Sequence, residues 1–227
     1  LWRKWDLHVH TPASLTHNYP GDHRWERFIQ ELEQLPPEFK VIGVNDYLFL
    51  DGYKILRDQK AQGRLANIDL LLPVIELRVD KFGGTTGHLS RINYHIIFSD
   101  EIPPETIEQH FLNALPNKYE LSPQFDHLKG RWQALPTMQS LEDLGKLIID
   151  SVPSERRQDY GPPLIEGFNN LCLNLDSIHG ALESHYFDRK YLTAVGKTEW
   201  ADIKWNDQSI ADKKNIINGA DLVFISS

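Results

Sequence analysis

One cysteine, Cys172, in a chain of 227 residues excludes an internal disulfide framework and any zinc module built on thiolates. It suits a reducing compartment, so a cytoplasmic setting is expected. Apolar runs are short, none reaching the 18 residues of a membrane span, and the N-terminus lacks the basic-then-apolar layout of a signal peptide. No membrane association is expected. Basic residues are outnumbered, 24 Lys and Arg against 32 Asp and Glu, and the net charge of −8 opposes non-specific attraction of the whole domain to nucleic acid. The glycine-rich "GGTTG" at 83–87 lacks the Gly-Lys-Ser/Thr ending of a nucleotide-binding loop, which excludes ATP binding by this segment.

What is present is an ordinary globular composition, 41% hydrophobic and 25% charged, enough for a sizeable core. The length fits one domain over 1–227. The chain starts at Leu1 without a methionine and stops at an apolar run, "NGADLVFISS", so it is read as the N-terminal fragment of a longer protein.

Ten histidines are present, two of them one residue apart in "KWDLHVHTPAS". Residues 3–10 alternate as a strand should, with Asp6, His8 and His10 on one face and Leu7 and Val9 on the other. Trp25, Phe28, Ile29 and Leu32 mark an amphipathic helix that Pro36 and Pro37 end. "KVIGVND" reads as a buried strand and "DGYKILRDQKAQ" as a helix. "DLLLPVIELRV" is a third strand, with Pro73 expected to confine its pairing to the later half. "RINYHIIF" is a fourth, joined to the third by a glycine-rich loop over 80–90. "PPETIEQHFLNAL" opens a helix with proline, and Ser140 with Asp143 suggests a capping box before the next. Residues 116–136 show no assignable period. "YLTAVGK" reads as a strand, "DQSIADKKNIIN" as a helix and "ADLVFIS" as a last strand. Strands alternating with helices predict a mostly parallel α/β sheet or barrel.

On that reading, polar groups able to hold metal gather where the strands end: His8 and His10, then Asp46, then Glu76, with His95 inside the fourth. In parallel barrels that rim is where catalytic residues from different strands meet. Imidazole and carboxylate suit Zn²⁺, Mn²⁺ or Fe²⁺, and a carboxylate such as Glu76 can bridge two ions. A bridged pair activates water and holds a phosphoryl oxygen, the requirement of phosphoester hydrolysis; the same cage could cleave amides.

"DLHVHTPAS" followed by "VIGVND", "LLPVIE" and "NYHIIF" resembles the polymerase and histidinol phosphatase (PHP) family over about the first 100 residues. The resemblance implies a distorted (β/α)7-type barrel, here incomplete at its C-terminus, with up to three metals and phosphoesterase activity. It makes His8 and His10 ligands of a first metal, Glu76 a bridge, His95 a ligand of a second, and His17 a further ligand. Together with "NDYLFLDGY", "AVGKTEW" and "KKNIINGADLVF", the opening motif also resembles PHP domains fused to SMC or AAA-like ATPase modules of DNA repair or phage defence. A DNA, RNA or nucleotide substrate and an ATPase-like region later in the same chain are what that implies.

Three departures from the family pattern stand out. Asn45-Asp46-Tyr47 replaces Thr-Asp-His, which removes an imidazole from a third metal. A late His-Pro motif is absent, leaving Lys197 or Glu199 of "AVGKTEW" at the matching place. A final Asp-x-His is missing. Asp46 and Lys197 are the candidates for assisting proton transfer. The departures also support another expectation, a catalytically silent scaffold or regulatory module. Read singly, each residue has a plainer role: a packed strand histidine, a helix cap at Asp46, an exposed loop histidine at His17, a surface ion pair at Lys197.

Overall fold

A computed structural model describes residues 2–85, 88–115, 119–132, 135–197, 216 and 218–225, with backbone alone at 82–85 and 88–91. The expected helix over 207–218, apart from residues 216 and 218, lies outside the described residues, as does Glu199.

The elements run β1 (Lys4–Val9), α1 (Arg24–Glu33), β2 (Phe39–Asn45), α2 (Asp51–Ala61), β3 (Leu70–Thr85), β4 (His88–Phe98), α3 (Pro104–His110), β5 (Tyr119–Leu121), α4 (Met138–Ser151), α5 (Pro163–Asn170), β6 (Leu171–Leu173), α6 (Leu175–Leu182), β7 (Tyr191–Gly196) and β8 (Leu222–Phe224). The main sheet has the order β1-β2-β3-β4-β7-β8. β1, β2 and β3 are parallel, as are β7 and β8, but β4 is antiparallel to both β3 and β7. The expected mostly parallel sheet is therefore a mixed one, and the regular (β/α)7 alternation is not followed. The reason lies between the third and fourth strands: residues 80–85 extend the third and 88–90 the fourth as an antiparallel pair, with Phe82 opposite Arg91 and Thr85 opposite His88, instead of forming a loop. A hairpin reverses direction without the crossover helix that a parallel neighbour requires.

The sheet curls. His8 of β1 and Phe224 of β8 belong to strands at opposite ends of the order, yet their rings lie 5.8 Å apart. That contact brings the two edges together and makes the sheet a partial barrel. It has two apolar layers. Outside, the helices cover it with a large core that includes Phe28 and Ile29 of α1, Tyr53 and Leu56 of α2, Leu77, Tyr94 and Phe98. Inside is a small floor of Val41, Leu72, Val74, Ile97 and Ala194, with Leu7 and Phe224 against it.

Local chemistry explains most elements. The α1 stripe buries Phe28, Ile29 and Leu32. The capping box before α4 is Thr137 with Ser140, not Ser140 with Asp143, because Thr137 accepts from the Ser140 N–H while Ser140 returns the bond to the Thr137 N–H. α4 and α5 touch backbone to backbone: a Cβ on Gly145 would meet the Pro163 carbonyl oxygen at 1.7 Å, and one on Gly167 the Leu141 carbonyl oxygen at 1.8 Å. That close pair carries Phe168 against the sheet. The unassigned middle holds β5, paired with β6. Pro73 does not restrict β3 to its later half, since Leu70–Val74 pair with β2; towards β4, pairing begins at Val74.

β1 breaks the alternation read from its sequence. Its register with β2 shifts between Asp6 and Val9, and Leu7 packs on the inner floor while Val9 packs on the outer core. Gly43 of β2 lies opposite the shift, with Leu7 Cα only 2.7 Å from where a Cβ would sit. The missing side chain lets the bulged strand close on β2.

Candidate metal centre

β3 and β4 stack three pairs of opposed residues up the concave face. Val74 opposite Ile97 forms the floor, Glu76 opposite His95 comes next, and Arg78 opposite Asn93 stands above. The period of two puts all six on one face. Glu76 therefore lies in the middle of a long strand rather than at its end, the position expected from a shorter third strand.

His8, Glu76 and His95 each direct a ligand atom into one space, and these atoms lie within 4.8 Å of one another. Glu76 Oε2 is 3.4 Å from His95 Nε2 and 3.6 Å from His8 Nε2. His10 joins from the residue beyond β1, its Nε2 3.2 Å from His8 Nε2. Glu76 is 3% exposed and His95 1%. Neither ring nitrogen of His95 has a hydrogen-bond partner among the described residues. A buried imidazole whose Nδ1 has no partner and whose Nε2 has only the Glu76 carboxylate at 3.4 Å is costly unless something binds it.

The charge states favour a cation. Desolvation would raise the Glu76 carboxyl, but the His95 imidazole beside it, together with His8 and the Asn45 amide, outweighs burial and holds its pKa down to about 2. It is an anion at neutral pH. Desolvation lowers His8 from 6.5 to about 4 against the pull of Glu76, with His95 and His10 pushing it further down. His8 is thus neutral at pH 7, with a lone pair to offer.

Residues at the end of β2 fix the group. Asn45, fully buried, donates to Glu76 Oε2 at 2.7 Å and accepts from the Tyr47 N–H at 3.2 Å. The Glu76 N–H donates to the Tyr47 carbonyl at 3.0 Å. Tyr47 has φ 59°, the left-handed region that bulky side chains rarely occupy. That conformation belongs to a turn that stacks its ring on His10 at 4.8 Å, sets its edge against Phe168 at 4.6 Å and brings its hydroxyl within 2.8 Å of Thr16. Burial raises the Tyr47 phenol.

Asp46 is fully buried and committed to Thr11: Oδ1 accepts from the Thr11 N–H at 2.8 Å and Oδ2 from its hydroxyl at 2.7 Å. Desolvation raises its pKa, with the Thr11 bonds and His10 holding the rise back. These bonds fit a clamp on the turn after β1 better than the expected proton-transfer group. His17 does not join the cluster; it is exposed, and its Nδ1 accepts from the Tyr19 N–H at 3.1 Å. Lys197 is exposed just past β7, with no contact to the cluster among the described residues.

Asn45, Thr11 and Phe224 were not selected from the sequence as site residues. Asn45 carried a usable signal, a polar residue closing an otherwise apolar strand. Phe224, 4.9 Å from the His95 ring, carried none.

No protein-family model and no curated protein matches the chain. A solved structure from Bifidobacterium adolescentis, described as a presumed metal-dependent phosphoesterase, aligns with 97% of this chain and 76% of its own at 12% identity and a TM-score of 0.45. A likeness that slight bears on neither fold nor chemistry, which rest on the residues above.

Proposed function

We propose that the chain is a metal-dependent phosphoesterase whose metal ligands are His8, Glu76 and His95, with His10 beside them. The observation that carries this reading is the buried Glu76–His95 pair, the imidazole Nδ1 without a hydrogen-bond partner among the described residues, its Nε2 facing the Glu76 carboxylate at 3.4 Å, and His8 neutral next to it. Two imidazoles and a carboxylate suit Zn²⁺, Mn²⁺ or Fe²⁺, so the donor set fits such an ion. A divalent ion held there would act as a Lewis acid on water and on a phosphoryl oxygen.

The chain's own residues do the rest. Asn45 orients the Glu76 carboxylate from below through Oε2. Tyr47 fixes the His10 ring by stacking, and the Ser14 hydroxyl lies 3.3 Å from its Nδ1. Thr11 and Asp46 anchor the turn that carries His10 away from β1. Phe224 and the apolar floor pack against the inner side of the centre. The finer reading, a nucleic acid or nucleotide as the phosphoester, is supported by the resemblance of the N-terminal motifs to PHP domains. The acidic surface requires that metal or another region supply the attraction to it.

Elemental analysis and hydrolysis of bis(p-nitrophenyl) phosphate with Mn²⁺, using the full-length protein and its Glu76→Gln variant, test this function. Bound metal and turnover in the parent, both lost in the variant, are expected. Unchanged turnover in Glu76→Gln would refute the assignment, and absence of bound metal in the parent would select the silent scaffold.

A further inference from the structure

The turn after β2 holds Tyr47 in a backbone conformation that its own side chain makes costly. At φ 59° the residue lies in the left-handed region, where glycine or asparagine would sit with less strain. Strain kept beside a candidate centre points to a task for the side chain that causes it. The ring stacks on His10, but a phenylalanine would stack as well, so what tyrosine adds is the hydroxyl. That hydroxyl lies 2.8 Å from the Thr16 hydroxyl, its hydrogen-bond partner among the described residues, and close enough to the Glu76 carboxylate to feel its charge. Thr16 and His8 are both exposed, so the hydroxyl pair and the ligand cluster open to solvent together. Each hydroxyl carries one proton. The bond between them uses one of the two, whichever group donates, and the other proton is left to be given outward.

We infer that the Tyr47 hydroxyl donates a hydrogen bond to a phosphoryl oxygen of the substrate while Thr16 donates to the Tyr47 oxygen, an assignment that rests on the function proposed above. A phenol is a stronger acid than an aliphatic alcohol, so an anionic oxygen draws the phenol O–H outward and leaves Thr16 to donate behind it. A hydroxyl that accepts one bond donates the next more strongly, so the two bonds reinforce each other. Bonds to an ionised acceptor are also the strong ones. Stacking on His10 and the edge contact with Phe168 hold the ring in place before substrate arrives, so little freedom is lost on binding. Tyr47 is then a residue that touches substrate, and Thr16 is a positioning residue that acts through it. At neutral pH a phenol is protonated, a donor and a poor ligand for a divalent ion, so this position serves substrate recognition.

The test uses full-length protein loaded with Mn²⁺ and titrated with inorganic phosphate by calorimetry, beside Tyr47→Phe, Thr16→Val and the double variant. Phenylalanine keeps the ring on His10 and removes only the hydroxyl. Phosphate affinity is expected to fall about tenfold or more in Tyr47→Phe and about threefold in Thr16→Val, with Mn²⁺ content unchanged in both. Because Thr16 acts through the phenol, adding Thr16→Val to Tyr47→Phe should cost nothing further. Equal phosphate affinity in Tyr47→Phe would overturn the inference, as would loss of Mn²⁺ from that variant, which would make Tyr47 a support for His10 alone. Losses that add in the double variant would overturn the relay from Thr16. A parent protein that holds Mn²⁺ but no phosphate would overturn the inference while leaving the metal centre standing. A parent that takes up no Mn²⁺ would bring down the proposed function and this inference together.

Discussion

Gly43 and Leu7 meet backbone to backbone: a Cβ on Gly43 would lie 2.7 Å from both the Leu7 Cα and its carbonyl oxygen. The contact sits where β1 slips its register against β2, one residue before His8. The bulge turns Leu7 to the inner floor and still lets His8 reach Glu76. A glycine in the middle of a strand weakens it, so its presence here has a geometric cause.

Gly43→Ala should therefore cost about 1–3 kcal/mol of stability and weaken metal binding, because the methyl group must push β1 away or flatten the bulge. Urea unfolding and Mn²⁺ titration check this. Gly180→Ala is the control. Gly180 lies in α6 with open space around it, so alanine there should stabilise by about 0.5–1 kcal/mol and leave metal binding unchanged.

Much of this architecture was legible in the sequence, and the reason is period. Phe28, Ile29 and Leu32 repeat as a helix face must, and "VIGVN" and "RINYHIIF" have the apolar density of covered strands. The residues that meet in the candidate cluster, His8, His10, Glu76 and His95, stood out in the sequence because carboxylate and imidazole contrast with apolar strands. Direction was not readable. Nothing local distinguishes a glycine-rich loop from the tip of a hairpin, so β4 turned out antiparallel and Glu76 mid-strand. Contacts made by the curl of the sheet, such as Phe224 on His95, depend on strands far apart in sequence and leave no pattern in either segment. The bulge in β1 was hidden for a different reason: its cause, Gly43, sits in the neighbouring strand.

Glu76→Gln should lower stability with and without metal. In the chelated protein it removes an anion that His95, His8 and Asn45 hold well below its free pKa, so stability at neutral pH should fall by about 1–3 kcal/mol. With Mn²⁺ at about 100 times its dissociation constant, the parent should gain about 2.7 kcal/mol and the variant almost none. Thermal unfolding in chelator and in Mn²⁺ gives both numbers.

Acid should destabilise the chelated protein in two stages. His8 has a folded pKa of about 4 against 6.5 when free, so the unfolded chain binds more protons between these values. Its contribution is complete above pH 6.5 and is lost as the pH falls towards 4. Glu76, at about 2 against 4.5, contributes above pH 4.5 and loses that contribution as the pH falls towards 2. Asp46, raised by desolvation, works the other way, because the folded chain takes up its proton more readily. Urea unfolding from pH 7.5 to pH 4.5 should show a loss that His8→Asn removes, while the loss at lower pH remains in that variant.

Thr11 supplies both hydrogen bonds that the Asp46 carboxylate receives among the described residues, and α2 begins hard against the pair. A Cβ on Gly52 would come within 1.9 Å of Asp46 Oδ2 and 2.2 Å of the Thr11 hydroxyl. Thr11→Val keeps the shape and removes the hydroxyl donor, leaving one oxygen of a fully buried carboxylate unsatisfied, at a cost of about 1–3 kcal/mol. Thr11→Ser keeps the donor and should cost much less. Since Thr11 follows His10 directly, the valine variant should also loosen the turn that holds His10 beside His8, and Mn²⁺ affinity should fall along with stability. If the pair were only a clamp with no bearing on the metal, Thr11→Val would lower stability and leave Mn²⁺ affinity unchanged. Unfolding and metal titration of the two variants distinguish these outcomes.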